Sequence, residues 1–235
     1  MKIFSALILL TAIAQTGAVA APAQSAAAAS AAPDLDLRVQ YYSKVLTPEG
    51  VTREASYEEA LSRRPRHVLI ARVLPKNVSD IHDDDAKGTQ HKHFNHVLIP
   101  RHIFLDNQKT RIEFIDTIHK EVIAIPASEY NNVNFDGSWE NAFYLLDPQL
   151  VKSIPLSSRT SAVPGARWRE RENNANFQRI LWDEQKQIPL IVESGDKAGT
   201  FFRRMEVRLQ NTLRSDLPWL NTKGYAQKEY ADFLD

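Results

Sequence analysis

The chain of 235 residues has no cysteine. That absence excludes disulfides, thiolate metal sites, cysteine nucleophiles and the acylated cysteine of a lipoprotein. An oxidising compartment permits disulfides but does not require them, so it stays open as a location. An excess of charge of one sign is also missing: 29 Lys and Arg balance 29 Asp and Glu. With no basic surplus, a general nucleic-acid role has no electrostatic support. Beyond the N-terminus no run is long and apolar enough to cross a membrane, which takes ~20 residues as a helix. Catalytic signatures are missing too. There is no G-x-S-x-G elbow, P-loop or dinucleotide fingerprint. Ser194-Gly195-Asp196-Lys197 matches S-x-x-K on paper, but it sits in a glycine-containing turn and lacks the companion motifs. The sequence therefore reads as a non-enzyme.

The N-terminus carries the three parts of a secretory signal peptide: the positive start Met1-Lys2, the apolar run Ile3 to Ala14, and the small-residue triplet Ala18-Val19-Ala20. Cleavage after Ala20 is expected, with the mature protein in the periplasm. Residues 21–33 are an uncharged Ala/Ser/Pro/Gln stretch without a pattern of large apolar residues, and read as a flexible leader. Residues 34–235 remain as a single β-rich domain.

Within that domain the dominant pattern is short strands and polar turns. Arg66 to Leu74 ends at Pro75, and His96 to Leu105 is broken at Pro100. Thr110 to Asp116 alternates, with Ile112 and Phe114 opposed to Arg111 and Glu113. Glu121 to Ile125, Asn141 to Leu146, Arg167 to Arg171, Asn176 to Trp182, Ile188 to Glu193 and Thr200 to Leu209 are further strand candidates. Arg203 breaks the apolar face of the last. Such a series argues an antiparallel meander with one buried face. Helices are few. Asp36 to Val45 is compatible with one, with Asp34 or Asp36 near its cap. Residues 221–234 read as a C-terminal helix capped by Asn221 or Thr222, with Tyr230, Phe233 and Leu234 on one face.

Several of these hairpins resemble a known family. The turn-strand-turn-strand run Asp106 to Asp116 and Lys120 to Pro126 is similar to the periplasmic lipoprotein carriers (LolA-like) and the sigma-regulatory lipid sensors (RseB-like). So is the late hairpin Ile180 to Glu193, where a D-x-x-x-x-x-P-L stretch joins two strands. Gly50 to Glu54 and Arg63 to Val68 are similar to the first hairpin of those proteins. The resemblance spans roughly Leu37 to Leu209. It implies a mainly β (α+β) fold: a strongly curved antiparallel sheet, or half-barrel, packed on a few helices around an apolar cavity. It also implies a non-catalytic carrier or envelope sensor that binds a lipid, an acyl chain or a lipidated protein, with an envelope protein as a further partner. The polar insert Lys76 to Gln90 and the scarcity of helices depart from that pattern, and no gating arginine of the carriers can be placed on this sequence.

Phe104, Ile112, Phe114, Ile123, Ile125, Phe143, Leu145, Trp182 and Met205 are the candidate lining of such a cavity, or alternatively pack on one another as core. No cofactor is expected on this reading. A different one comes from the histidines. Five of seven lie between His82 and His102, and His91, His93 and His96 with Asp84 make a plausible Zn or Cu ligand set. The same cluster also suits a solvated polar loop or a pH-responsive surface.

Overall fold

In the computed structural model, residues 32–75 and 94–233 are described. The segment expected to be a signal peptide, most of the expected leader and the polar insert Lys76 to Gln90 lie outside the described residues. The described part is mostly strand, as the alternating pattern predicts, in one large curved sheet with few helices.

Eleven strands make up that sheet: β1 Leu35–Leu46, β2 Thr52–Arg64, β3 His67–Arg72, β4 Arg101–Asp106, β5 Lys109–Asp116, β6 Glu121–Ile125, β7 Ala166–Glu172, β8 Asn176–Asp183, β9 Ile188–Asp196, β10 Phe201–Leu209 and β11 Ala226–Glu229. Their spatial order is β11-β6-β5-β4-β3-β2-β1-β10-β9-β8-β7. Two meanders, β1 to β6 and β7 to β10, are thus joined side by side where β1 pairs with β10. All pairings are antiparallel except β11 with β6. The tight turns have the chemistry such hairpins require. Asn107 and Gln108, between the paired Asp106 and Lys109, have φ of 47° and 65°, the two positive values of a type I′ turn.

The register places Leu37, Leu61, Val68, Ile103, Ile112 and Ile125 on one face. That face carries two short helices, α1 Trp139–Tyr144 and α2 Pro148–Ser153. Ser138 caps α1 by accepting from Asn141 N at 3.0 Å, and Trp139, Ala142 and Phe143 turn toward the core. Residues 210–225 lie along the other face. There Gln210 N donates to Asp36 O, Arg64 Nη2 donates to Arg214 O, and Trp219 stacks on His67 and His102.

Three sequence expectations are corrected. Asp36 to Val45 is β1, not a helix: Leu35, Leu37, Val39 and Tyr41 alternate with Asp36, Arg38 and Gln40, and Leu37 and Val39 are almost fully buried. Asn141 to Leu146 is not a strand. The Ser138 cap and the three- and four-residue spacing of Trp139, Ala142 and Phe143 make its first part α1. The C-terminal helix 221–234 is replaced by β11 and a 3-10 turn, Tyr230–Phe233. Gly224, at φ 85°, turns the chain out of a helical path, and the following residues complete the open edge of β6.

Candidate ligand-binding cleft

The structure separates the nine candidate lining residues. Ile112, Phe114, Ile123, Ile125, Phe143 and Trp182 are buried members of the hydrophobic core, packed against other core side chains. Phe104 points to the opposite face and stacks with His67 and His102. Leu145 and Met205 remain, and both line a cleft of about 460 Å³. Ligand sites commonly fall in the range of roughly 300–1,000 Å³.

The cleft forms where α1 ends. Leu145 follows its last turn in a left-handed conformation, φ 65°, which a branched residue adopts at a penalty of about 1–2 kcal/mol. That backbone delivers Leu145 and Leu146 over the centre of the sheet, opposite Tyr41 of β1, Ala55 and Tyr57 of β2, Val192 and Ser194 of β9, and Arg203 and Met205 of β10. Three elements hold α1 there through one side chain. The Arg63 guanidinium, wholly buried, donates to Phe143 O at 3.3 Å, Lys186 O at 2.7 Å and Pro33 O at 3.1 Å. It also lies 5.0 Å from the Phe143 ring centroid.

A second, polar pocket of about 280 Å³ shares Tyr41 and Tyr57 with the first. Its other walls include Glu59, Ile70, Arg72, His96, Ile99, Arg101 and Asn134. The register explains the grouping: Glu59 faces Arg72 across β2 and β3, and Arg101 faces Ile70 across β3 and β4. Arg72 lies 3.7 Å from the Tyr57 ring centroid, and Arg101 Nη1 donates to Val133 O and Asn134 O, each at 3.3 Å. Burial raises the Glu59 carboxyl above its ordinary range, while Arg101, Arg72 and a hydrogen bond with Tyr41 act the other way. Burial likewise raises the Tyr41 hydroxyl, with Glu59 adding to the effect. Arg72 Nη1 and Arg101 Nε are buried and have no hydrogen-bond partner among the described residues.

Sequence reasoning missed Tyr41, Tyr57, Arg72 and Arg101. A signal existed: Arg72 continues the apolar phase of Val68 and Ile70, and Arg101 that of Ile103 and Leu105. A charge in the buried phase of a strand is costly unless it is paired or used. Arg203, which interrupts an apolar face in the sequence, is on the rim of the larger cleft.

Of the histidine set, His96 lies in the polar pocket, where burial and Arg101 lower its pKa and Asn134 Nδ2 lies 3.2 Å from its Nε2. His82, Asp84, His91 and His93 fall outside the described residues. Among the described residues no three His, Cys, Asp or Glu side chains are grouped to hold a metal ion. Nor is any helix among them long and apolar enough to cross a membrane.

No known protein family and no curated protein matches the sequence. Among solved structures, the chain is similar to a putative outer membrane lipoprotein-sorting protein domain from Vibrio parahaemolyticus: 12% identity, 83% of this chain, 93% of that one, TM-score 0.30. It is also similar to a LolA superfamily protein from Nitrosomonas europaea: 9% identity, 84% of this chain, 96% of that one, TM-score 0.31. MucB matches at 10% identity over 84% of this chain and 62% of its own, with TM-score 0.37. A likeness of the same order reaches PNGF-II, of which the match spans 32%. The resemblance read from the hairpins thus returns among solved structures.

Proposed function

We propose that this chain is a non-catalytic binding protein of the periplasm. It holds the acyl chain of a lipid or of a lipidated protein in the cleft between the end of α1 and strands β1, β2, β9 and β10. The observation that carries the reading is the cleft of about 460 Å³ walled by Tyr41, Tyr57, Leu145, Leu146, Val192 and Met205. A methylene moved from water onto such a surface gains ~0.8 kcal/mol, so a chain of several carbons suffices for useful affinity. The strained Leu145 backbone supports the same reading, because its one evident result is to place two leucines over the sheet.

Titration of the mature chain with the fluorescent apolar probe N-phenyl-1-naphthylamine tests this. Ala55 lines the cleft but is exposed, so Ala55→Trp fills the space without disturbing the core. Saturable binding to the wild type, weakened about tenfold or more in Ala55→Trp, is expected, the equivalent of losing about two buried methylenes. Equal binding by both proteins, or none by the wild type, overturns the proposal.

A further inference from the structure

Resting on that reading, we propose that the ligand is a single-chain anionic amphiphile. Its tail occupies the apolar cleft, and its carboxylate or phosphate head is held by Arg72 and Arg101 in the adjoining polar pocket. The two spaces share the Tyr41 and Tyr57 side chains, so one molecule lying past these rings reaches both. The chemistry of the spaces differs in the way the two ends of an amphiphile differ. Leu145, Leu146, Val192 and Met205 wall the first, and of the two arginines that also line it Arg203 is exposed and Arg204 is paired with Glu193 and Glu206. Two guanidinium groups and one carboxylate lie in the second.

Charge bookkeeping favours an anion there. Arg72 and Arg101 face the single carboxylate of Glu59, which accepts from Tyr41. Asp136 also acts on Arg101, but it is exposed and its oxygens already accept from Ser138 N and Asn141 Nδ2. His96 is held toward its neutral form. Among the described residues two cations therefore meet one half-buried anion. Their hydrogen bonding is also incomplete: each guanidinium has a buried nitrogen without a partner among the described residues. A buried donor in that state is destabilising, and an oxyanion spanning both groups would help to relieve it by re-orienting them. Guanidinium groups suit carboxylate and phosphate oxygens through paired N–H donors.

The test compares four twelve-carbon compounds with one tail and different heads: laurate, dodecyl phosphate, dodecanol and dodecyltrimethylammonium. Each is used below its micelle concentration to displace the naphthylamine probe. Three proteins are compared: wild type, Arg72→Gln and Glu59→Gln. Arg72 is chosen because Arg101 also holds the Val133 and Asn134 carbonyls, so its loss would disturb the loop. On the wild type, laurate and dodecyl phosphate are expected to bind more tightly than dodecanol, and the ammonium compound least. Arg72→Gln should weaken both anions by about tenfold or more while leaving dodecanol within about twofold. Glu59→Gln should tighten the anions several-fold, a gain that a misfolded variant cannot imitate. Tighter binding of only one anion would still support the proposal and identify the head as carboxylate or phosphate. Equal affinity for dodecanol and the anions, or an Arg72→Gln loss shared equally by dodecanol, overturns the head-group assignment and leaves the apolar cleft standing. If dodecanol also fails to displace the probe, the acyl-binding reading falls with it.

Discussion

Tyr41 and Tyr57 are direct partners across β1 and β2, and their rings stack with centroids 4.7 Å apart and planes 25° from parallel. Arg72 covers the Tyr57 ring, 3.7 Å from its centroid. The two tyrosines are the shared wall of the apolar cleft and the polar pocket, and Arg72 lines the polar pocket alone. Tyr57 is 42% exposed, so simple burial gives it little hold on the fold, and the stacked contacts dominate. Tyr57→Ala is expected to lower unfolding free energy by about 1–2.5 kcal/mol, the sum of a ring pair and a cation-π contact. Urea denaturation measures it. A change within about 0.3 kcal/mol of zero would mean that the stack contributes nothing.

Arg63 is fully buried, and its guanidinium acceptors are three main-chain carbonyls. It ties the end of α1 to β2, to the turn between β8 and β9, and to the residues before β1. Arg63→Met keeps the apolar bulk but leaves the carbonyls of Pro33, Phe143 and Lys186 without this donor. A loss of about 3–5 kcal/mol is expected, a large share of a domain stability of about 5–15 kcal/mol. Arg63→Lys should fall between, because a compact ammonium cannot span three diverging acceptors. Probe affinity should fall in Arg63→Lys as well, since Leu145 and Leu146 follow the helix that Arg63 holds. Thermal unfolding and probe titration on one preparation check both. Unchanged unfolding in Arg63→Met would show that water satisfies the carbonyls.

The alternating strands from Lys109 to Ile125 and from Asn176 to Leu209 were legible because side-chain period and turn residues agree there: Ile112 and Phe114 face in, and Asn107-Gln108 takes the positive φ values of a hairpin. What was not legible depends on contacts distant in sequence. Tyr41 and Tyr42 give β1 a mixed pattern because β1 lies mid-sheet between β2 and β10, where even Asp36 is buried and paired with Arg64 at 3.0 Å. Residues 226–229 become a strand because β6 offers an open edge, which composition cannot reveal. Apolar residues do not announce whether they meet a ligand or one another. Phe114 and Ile123 are core, while Met205 and Leu145 reach the cleft because the end of α1 stops short of covering β9 and β10. The charged residues in apolar phase, Arg72, Arg101 and Arg203, were the better pointers to the site.

Gly195 of β9 sits where a side chain has no room. A Cβ there would lie 2.8 Å from Phe177 Cζ and 3.0 Å from the Phe201 carbonyl oxygen. The ring can move, but the carbonyl belongs to β10 and moves only with the strand. Gly195→Ala is expected to destabilise by about 1–3 kcal/mol, as overpacking does. Adding Phe177→Leu should restore only part of the loss. Full restoration by the double variant would show that the Phe201 carbonyl is no obstacle.

His67, His102 and Glu113 form a hydrogen-bonded row across β3, β4 and β5, with 2.9 Å between His67 Nδ1 and His102 Nε2 and 2.9 Å between His102 Nδ1 and Glu113 Oε1. A Glu113 carboxylate accepts from His102 Nδ1–H, which leaves His102 Nε2 to accept from His67. Trp219 stacks on both imidazoles, with centroids 5.6 and 4.9 Å away, and Phe104 flanks them. Burial, then the neighbouring His102 and Arg66, lower the His67 pKa from 6.5, with Glu113 opposing. Above that ordinary value His67 is neutral folded or unfolded and adds no pH dependence. Below it the unfolded chain takes up the proton first, so stability falls with pH until the folded pKa is passed. Asp36 acts in a separate window. Burial tends to raise its carboxyl, but the hydrogen bonds from Arg64 and Arg214 outweigh it and the pKa is lowered from 3.8. Its stabilisation is therefore lost only in stronger acid. The urea midpoint is expected to drop between about pH 7.5 and pH 5.5, with Trp219 emission changing over the same range. His67→Phe keeps the stack without the proton and should shrink that drop, leaving the part that His96, whose pKa is also lowered, contributes over the same range, while Trp219→Phe should remove the emission change alone. A wild-type midpoint that is constant across the range, or a drop undiminished in His67→Phe, would assign the pH response elsewhere.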